Sequence, residues 1–138
     1  MHLDVLTLNH FYYGTKLGEL TQSRIQTCIQ RLWGHSITGQ LAGFGFPPPF
    51  LSPFKNKNTD IYCLMPGQQG VMKWPVERNR SVLVEETSWP IATASIDRLI
   101  VAHGFETCDK PKELLQEIWR VMSASARVIF VVPNRTGL

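Results

Sequence analysis

The segment from residue 81 to 134 constrains the fold more than any other part of this chain. Two apolar, strand-like runs, residues 99–102 and 128–132, bracket an amphipathic helical run at 111–122. An earlier short run, residues 82–84, ends in the acidic pair Glu85 and Glu86. The carboxyl ends of parallel strands frame a crevice. A strand ending in carboxylates, followed by a strand–helix–strand crossover, is therefore how a nucleotide-type ligand site is built in open α/β sheets.

The rest of the chain continues this alternation. Residues 8–33 carry a mostly 3.6-residue rhythm and predict one N-terminal helix, with Gly34 as its stop. The apolar, glycine-punctuated run 39–46 predicts a buried strand breaking into a turn. Pro47, Pro48 and Pro49 cannot all lie inside a helix, since proline has no amide hydrogen, so a short helix is expected only at 49–54. Strands follow at 60–65, 81–84 and 98–102, separated by an irregular surface loop at 67–80. In the helix at 111–122, Leu114, Leu115, Ile118, Trp119 and Met122 form an apolar stripe, while Lys112, Glu113, Gln116, Glu117 and Arg120 face water. The last strand, 127–132, is continuous enough in β-branched and aromatic residues to be buried on both faces. The expectation is a single domain over residues 1–138, with an α/β core at 39–133. Its architecture is a Rossmann-like, mostly parallel sheet with flanking helices.

Composition narrows the function classes. With 138 residues, 43% of them hydrophobic and 18% charged, the chain supports one ordinary globular core. Its formal net charge of +3 is not concentrated in a basic stripe, although Lys55, Lys57, Lys73, Arg78 and Arg80 gather in the middle third. Nucleic-acid binding through that loop is the weaker expectation; solvated lysines explain it more simply. Three cysteines, Cys28, Cys63 and Cys108, lie far apart without ligand spacing, which argues against a zinc site or a disulfide framework and for reduced thiols in the cytoplasm. The start has no basic segment followed by a continuous apolar one, so no signal peptide is expected, and no stretch approaches a membrane span.

Four features carry candidate chemistry. Gly43-Phe44-Gly45 falls where the first strand turns; glycine there permits a sharp bend and close approach to a ligand, and a tight structural turn explains it equally well. The prolines that follow remove the amides a phosphate cradle needs, and no GK[ST] is present, so a P-loop is excluded. Glu85 and Glu86, at a strand's carboxyl end, could accept hydrogen bonds from a nucleoside or be a solvated loop pair. As strand neighbours they point to opposite faces and do not share one site. His103, followed by Gly104 at the end of the next strand, is placed either as a general base or as a packing residue; no GxSxG elbow accompanies it.

Taken together these residues resemble a class I S-adenosylmethionine-dependent methyltransferase of the type 11-like group. Trp89-Pro90-Ile91 stands for that family's Leu-Pro-Phe, Ser95-Ile96-Asp97 for its Ser-Phe-Asp, and Arg120-Val121-Met122 for its helix-closing Arg-Val-Leu. The likeness runs from about Gln40 to Pro133 and is specific from Glu85 onward. The opening HFYYGTKLG and the ending VPNRTGL are similar to a bacterial methyltransferase-like subgroup. The resemblance implies S-adenosylmethionine as cofactor. It places Gly43, Gly45 and Phe46 at the amino-acid moiety, Met65 at the end of the second strand, Glu85 and Glu86 near the adenine, and His103 and Gly104 near the reacting end. Tyr12 and Tyr13 would lid the pocket. It names no catalytic base and leaves the methyl acceptor, small molecule or macromolecule, undefined.

The departures from the pattern are specific. The glycine turn lacks its leading acid, and Leu64-Met65-Pro66-Gly67 ends the second strand without the carboxylate that grips the ribose. Ala124-Ser125-Ala126 stands where the family has Pro-Gly-Gly. Losing a charge-assisted hydrogen bond of about 1.5–3 kcal/mol weakens binding about tenfold to a hundredfold. The fold expected is thus a C-terminally short, truncated class I methyltransferase, since two further strands would follow in that fold. The uncovered sheet edge makes a homodimer an expectation. A catalytically inactive remnant, acting as a binding or scaffold module, is the alternative.

Overall fold

The computed structural model describes residues 4–55 and 60–133. Lys57 and the end of the VPNRTGL motif lie outside the described residues.

Five parallel strands form one sheet in the order β3-β2-β1-β4-β5: β1 Leu41–Gly45, β2 Ile61–Pro66, β3 Ser81–Val84, β4 Ile96–Ala102 and β5 Met122–Val131. The order reverses at β1, the place where open α/β sheets generally form a crevice at the carboxyl edge. Period-two alternation sorts the side chains between two layers. Leu41, Cys63, Met65, Ile100 and Ala102 face α1 (Val5–Gly14), α2 (Lys16–Trp33) and α3 (Pro48–Leu51). Ala42, Phe44, Leu64, Leu99 and Val101 face α4 (Pro111–Val121) and Trp89. The Rossmann-like α/β architecture expected from the sequence is the one observed.

The N-terminal helix expected at 8–33 is two helices. Asp4 caps α1 by accepting the Leu6 amide at 2.6 Å. Thr15 then leaves helical geometry (φ −128°, ψ 151°) and caps α2, its hydroxyl oxygen accepting the Gly18 amide at 2.9 Å. A side-chain cap satisfies an amide that has no partner inside the new helix, so the break is chemically specified.

The stripe on α4 also differs from expectation. Leu114, Ile118 and Val121 are buried, whereas Leu115 is 44% and Trp119 79% exposed. Arg120, expected to face water, makes a bidentate pair with Glu117 (2.7 and 2.8 Å) and donates to the Trp89 carbonyl (3.0 Å) and the Thr93 hydroxyl (3.1 Å). The Trp89 amide donates to Glu117 at 2.6 Å, so α4 and the 85–95 segment are clamped together. Strand β5 begins directly at the end of α4 and is an outer strand among those described. Its side chains are mostly exposed or half-buried, with Phe130 39% exposed, so the expected burial on both faces is not observed.

Candidate functional site

The carboxyl edge of a parallel sheet collects every strand end on one side, and here it brings Gly45, Pro66, Val84 and Ala102 to the same rim. Gly45 has φ +97°, and a Cβ there would lie 2.2 Å from the Ala102 carbonyl oxygen. The Phe46 amide donates to that same carbonyl at 2.7 Å. A Cβ on Gly104 would meet the Phe44 ring at 2.7 Å and the Gly45 Cα at 3.1 Å. Gly45 and Gly104 therefore let the ends of β1 and β4 touch. Gly43 lies inside β1, where a Cβ would sit 2.4 Å from Pro47, so its bare face seats α3.

His103, also in the left-handed region at φ +56°, sits at the centre of a buried polar joint. Its Nε2 is 2.6 Å from the Tyr12 hydroxyl. Its carbonyl accepts the Gln69 side-chain amide at 2.7 Å. Its Nδ1 lies 3.5 Å from Glu106 Oε1, within ion-pair reach but without a hydrogen bond. Tyr12 stacks on Phe46, ring centroids 6.2 Å apart, and meets Phe50 edge-on at 5.5 Å. Burial, and then the Glu106 charge, push the Tyr12 phenol up to about 12, so it remains a neutral hydroxyl at ordinary pH. When Tyr12 donates to Nε2, the imidazole proton resides on Nδ1, toward Glu106. α1 is tied to the same joint, its Val5 amide donating to the Gln69 carbonyl at 2.8 Å.

The other end of the rim is open. Gly67, Gln68, Leu83, Val84 and Glu85 line a shallow depression of about 600 Å³. A neighbouring one of about 310 Å³ is lined by Gln68, Glu85, Glu86, Thr87, Asp109 and Lys110. Glu85 is exposed and Glu86 buried, yet both line this second depression, so the expectation that the pair does not share one site is not met. The Trp89 indole donates to the Glu86 carbonyl at 3.0 Å. Burial pushes the nearby Cys108 thiol up, and the charges of Glu86 and Asp109 add to it.

The eight residues singled out by sequence thus separate. Gly45, Phe46, His103 and Gly104 form the closed joint. Glu85 and Glu86 lie at the open end. Gly43 packs under α3 and Met65 is fully buried in the core, neither lining these depressions. Tyr12 is inside the joint, while Tyr13 is exposed beside a separate hollow near Pro49 and Pro53. Gln68, Gln69 and Glu106 escaped sequence reasoning. The signal for Gln68 and Gln69 was two polar residues just past the β2 end, inside a segment that reads as irregular loop; Glu106, after β4, carried none.

Asp97 belongs to the opposite edge. It accepts the Gln40 amide at 2.8 Å and the Ser123 hydroxyl at 2.7 Å, tying β1, β4 and β5 at their amino ends. In the basic loop, Lys55 pairs with Glu77 at 3.2 Å and Arg80 with Asp60 at 3.0 Å. Among the described residues no cluster of three His, Cys, Asp or Glu side chains could hold a metal ion, and no helix is long and apolar enough to cross a membrane.

The sequence matches no family model and no curated protein. Solved structures do share the fold. A Methanococcus maripaludis structure assigned as an S-adenosyl-L-methionine-dependent methyltransferase aligns with TM-score 0.66 at 15% identity, over 92% of this chain and 63% of that one. A SAM-dependent methyltransferase from Aquifex aeolicus gives TM-score 0.59 at 17% identity, over 76% and 62% of the two chains. One from Thermotoga maritima gives 0.55 at 16% identity, over 90% and 53%. This chain therefore spans 53% to 63% of the length of those structures. The architecture is the Rossmann-like fold that these methyltransferase structures share. At such identities the likeness concerns the fold, and chemistry must be argued from the site.

Proposed function

We propose that this chain binds S-adenosylmethionine, or its demethylated product S-adenosylhomocysteine, at the carboxyl edge, as a methyltransferase-type protein whose acceptor is a small molecule or a macromolecule. The observation that supports the reading is the depression shared by the ends of β2 and β3, at the carboxyl edge one strand away from β1, where the sheet order reverses. Leu83 and Val84 offer an apolar wall to a base, Glu85 an acceptor for an exocyclic amine, and Gln68 an amide for ribose hydroxyls where the family uses a carboxylate. S-adenosylmethionine, when bound, supplies a methyl group already activated on sulfonium, so the protein's task is alignment more than proton transfer.

Calorimetric titration with S-adenosylhomocysteine tests this reading. Heat with a saturable isotherm and a raised melting temperature are expected. No heat and no thermal shift at millimolar ligand favours the second reading, a non-catalytic binding or scaffold module. The specific support for that second reading is the buried Tyr12–His103–Gln69 joint and the missing acid after β2. Cytoplasmic residence and a symmetric homodimer through the outer edge of β5 complete the proposal. The unpaired Cys28, Cys63 and Cys108 suit the former; light scattering showing a clean monomer would remove the latter.

A further inference from the structure

Resting on the reading that an S-adenosyl ligand docks at the carboxyl edge, we infer that this chain recognises the nucleoside alone, because Tyr12, Phe46 and Gln69 of the chain itself fill the amino-acid end of the cleft. A ligand whose base lies in the Gly67–Glu85 depression extends along the edge toward β1 and β4, following the strand order. The path leads into the joint. There Phe46 is fully buried, Gln69 2% exposed and Tyr12 3% exposed, so no surface remains for a tail to lie on.

The hydrogen-bond inventory reaches the same result independently. A homocysteine tail ends in a carboxylate, which needs donors. Three donors at this end are already engaged: the Phe46 amide with the Ala102 carbonyl, the Gln69 side-chain amide with the His103 carbonyl, and the Tyr12 hydroxyl with the His103 ring, while His103 Nδ1 makes no hydrogen bond and faces the Glu106 carboxyl at 3.5 Å. The turn after β2 is spent as well, its Gly67 amide donating to Val84 and its Gln69 and Gly70 amides to Pro66. Three of the buried atoms left without a hydrogen-bond partner here are acceptors, Gln69 Oε1 and both oxygens of Glu106, and they repel a carboxylate. The backbone leaves no slack either, since a Cβ on Gly45 would already meet the β4 end at 2.2 Å. The ligand class that matches is an adenine nucleoside with a short or apolar 5′ substituent, such as adenosine or its 5′-methylthio derivative.

Calorimetry on the full chain with adenosine, 5′-deoxy-5′-methylthioadenosine and S-adenosylhomocysteine tests the inference. Adenosine and the methylthio derivative are expected to bind with dissociation constants within about threefold of one another, and S-adenosylhomocysteine no tighter than either. S-adenosylhomocysteine binding about tenfold or more tighter than adenosine would overturn the inference and leave the docking reading standing. Absence of binding by all three overturns both. The variant Gln69→Ala, checked for a native melting transition, removes the amide held by His103 and opens the joint. It is expected to favour S-adenosylhomocysteine over adenosine by about fivefold or more. A folded variant that keeps the original ratio would refute Gln69 as the plug, while the comparison in the unmodified chain needs no variant at all.

Discussion

Cys63 and Tyr12 show how single buried groups impose a pH dependence on the molecule. Burial pushes the Cys63 thiol from 9.0 up to about 12, and burial with the Glu106 charge pushes the Tyr12 phenol from 10.0 up to about 12. Both groups are neutral when protonated, and folding holds them so. Their contribution is fully present below the unfolded values and is lost as pH rises toward 12, because the unfolded chain releases these protons first. Urea unfolding is therefore expected to give a stability that declines from about pH 9 upward. Cys63→Ala should flatten the first part of that decline and Tyr12→Phe the part above about pH 10; an unchanged slope in both variants would refute the assignment. Neither group was legible as a titrating site in the sequence. Cys63 read simply as an apolar strand residue, and the Tyr12–His103 contact joins residues 91 positions apart.

At the scale of elements, helix existence was legible and helix facing was not. The 3.6-residue rhythm locates α4, yet its five-residue stripe is wider than the surface the sheet offers. Leu114 is completely buried, while Leu115 and Trp119 turn to solvent. Leu114→Ala is expected to cost about 2–5 kcal/mol and Trp119→Ala to stay within about 0.5 kcal/mol, as measured by chemical denaturation. Equal costs would mean that Trp119 is covered in solution. The corner between α1 and α2 gives a sign test. Replacing glycine by alanine inside a helix normally stabilises it by about 1 kcal/mol. At Gly18 a Cβ would lie 1.7 Å from the Phe11 carbonyl oxygen, so Gly18→Ala should instead destabilise, by about 2 kcal/mol or more. Continuous periodicity hid this corner: a cap at Thr15 interrupts the helix without interrupting the apolar rhythm.

For the molecule as a whole, the two edges of the sheet have different duties. The amino edge is fastened by Asp97, whose carboxyl the Gln40 amide and the Ser123 hydroxyl hold below the usual carboxylate range. The Glu117 carboxyl is likewise lowered, chiefly by Arg120. Depressed carboxylates contribute stability that is present above their unfolded values and lost as pH falls through the folded ones. Acid unfolding should therefore begin below about pH 4, and Asp97→Asn should lower stability at neutral pH while reducing its acid dependence. An unchanged acid profile would refute the role of Asp97 as the fastening.

The carboxyl edge carries the candidate site, and here sequence and tertiary structure divide the determination. The alternation of apolar strands with helical periodicity was enough to specify a parallel α/β sheet, because period and length are local properties of the chain. So was the meeting of Gly45, Glu85 and His103 at one rim, since parallel strands put all their carboxyl ends on the same side. Whether that rim is hollow or filled depends on the volumes of Tyr12, Phe46 and Gln69, which arrive from three separate stretches of chain. Only the packing of α1 over β1 decided it, because occupancy of space is a property of the assembled layers and of no single segment.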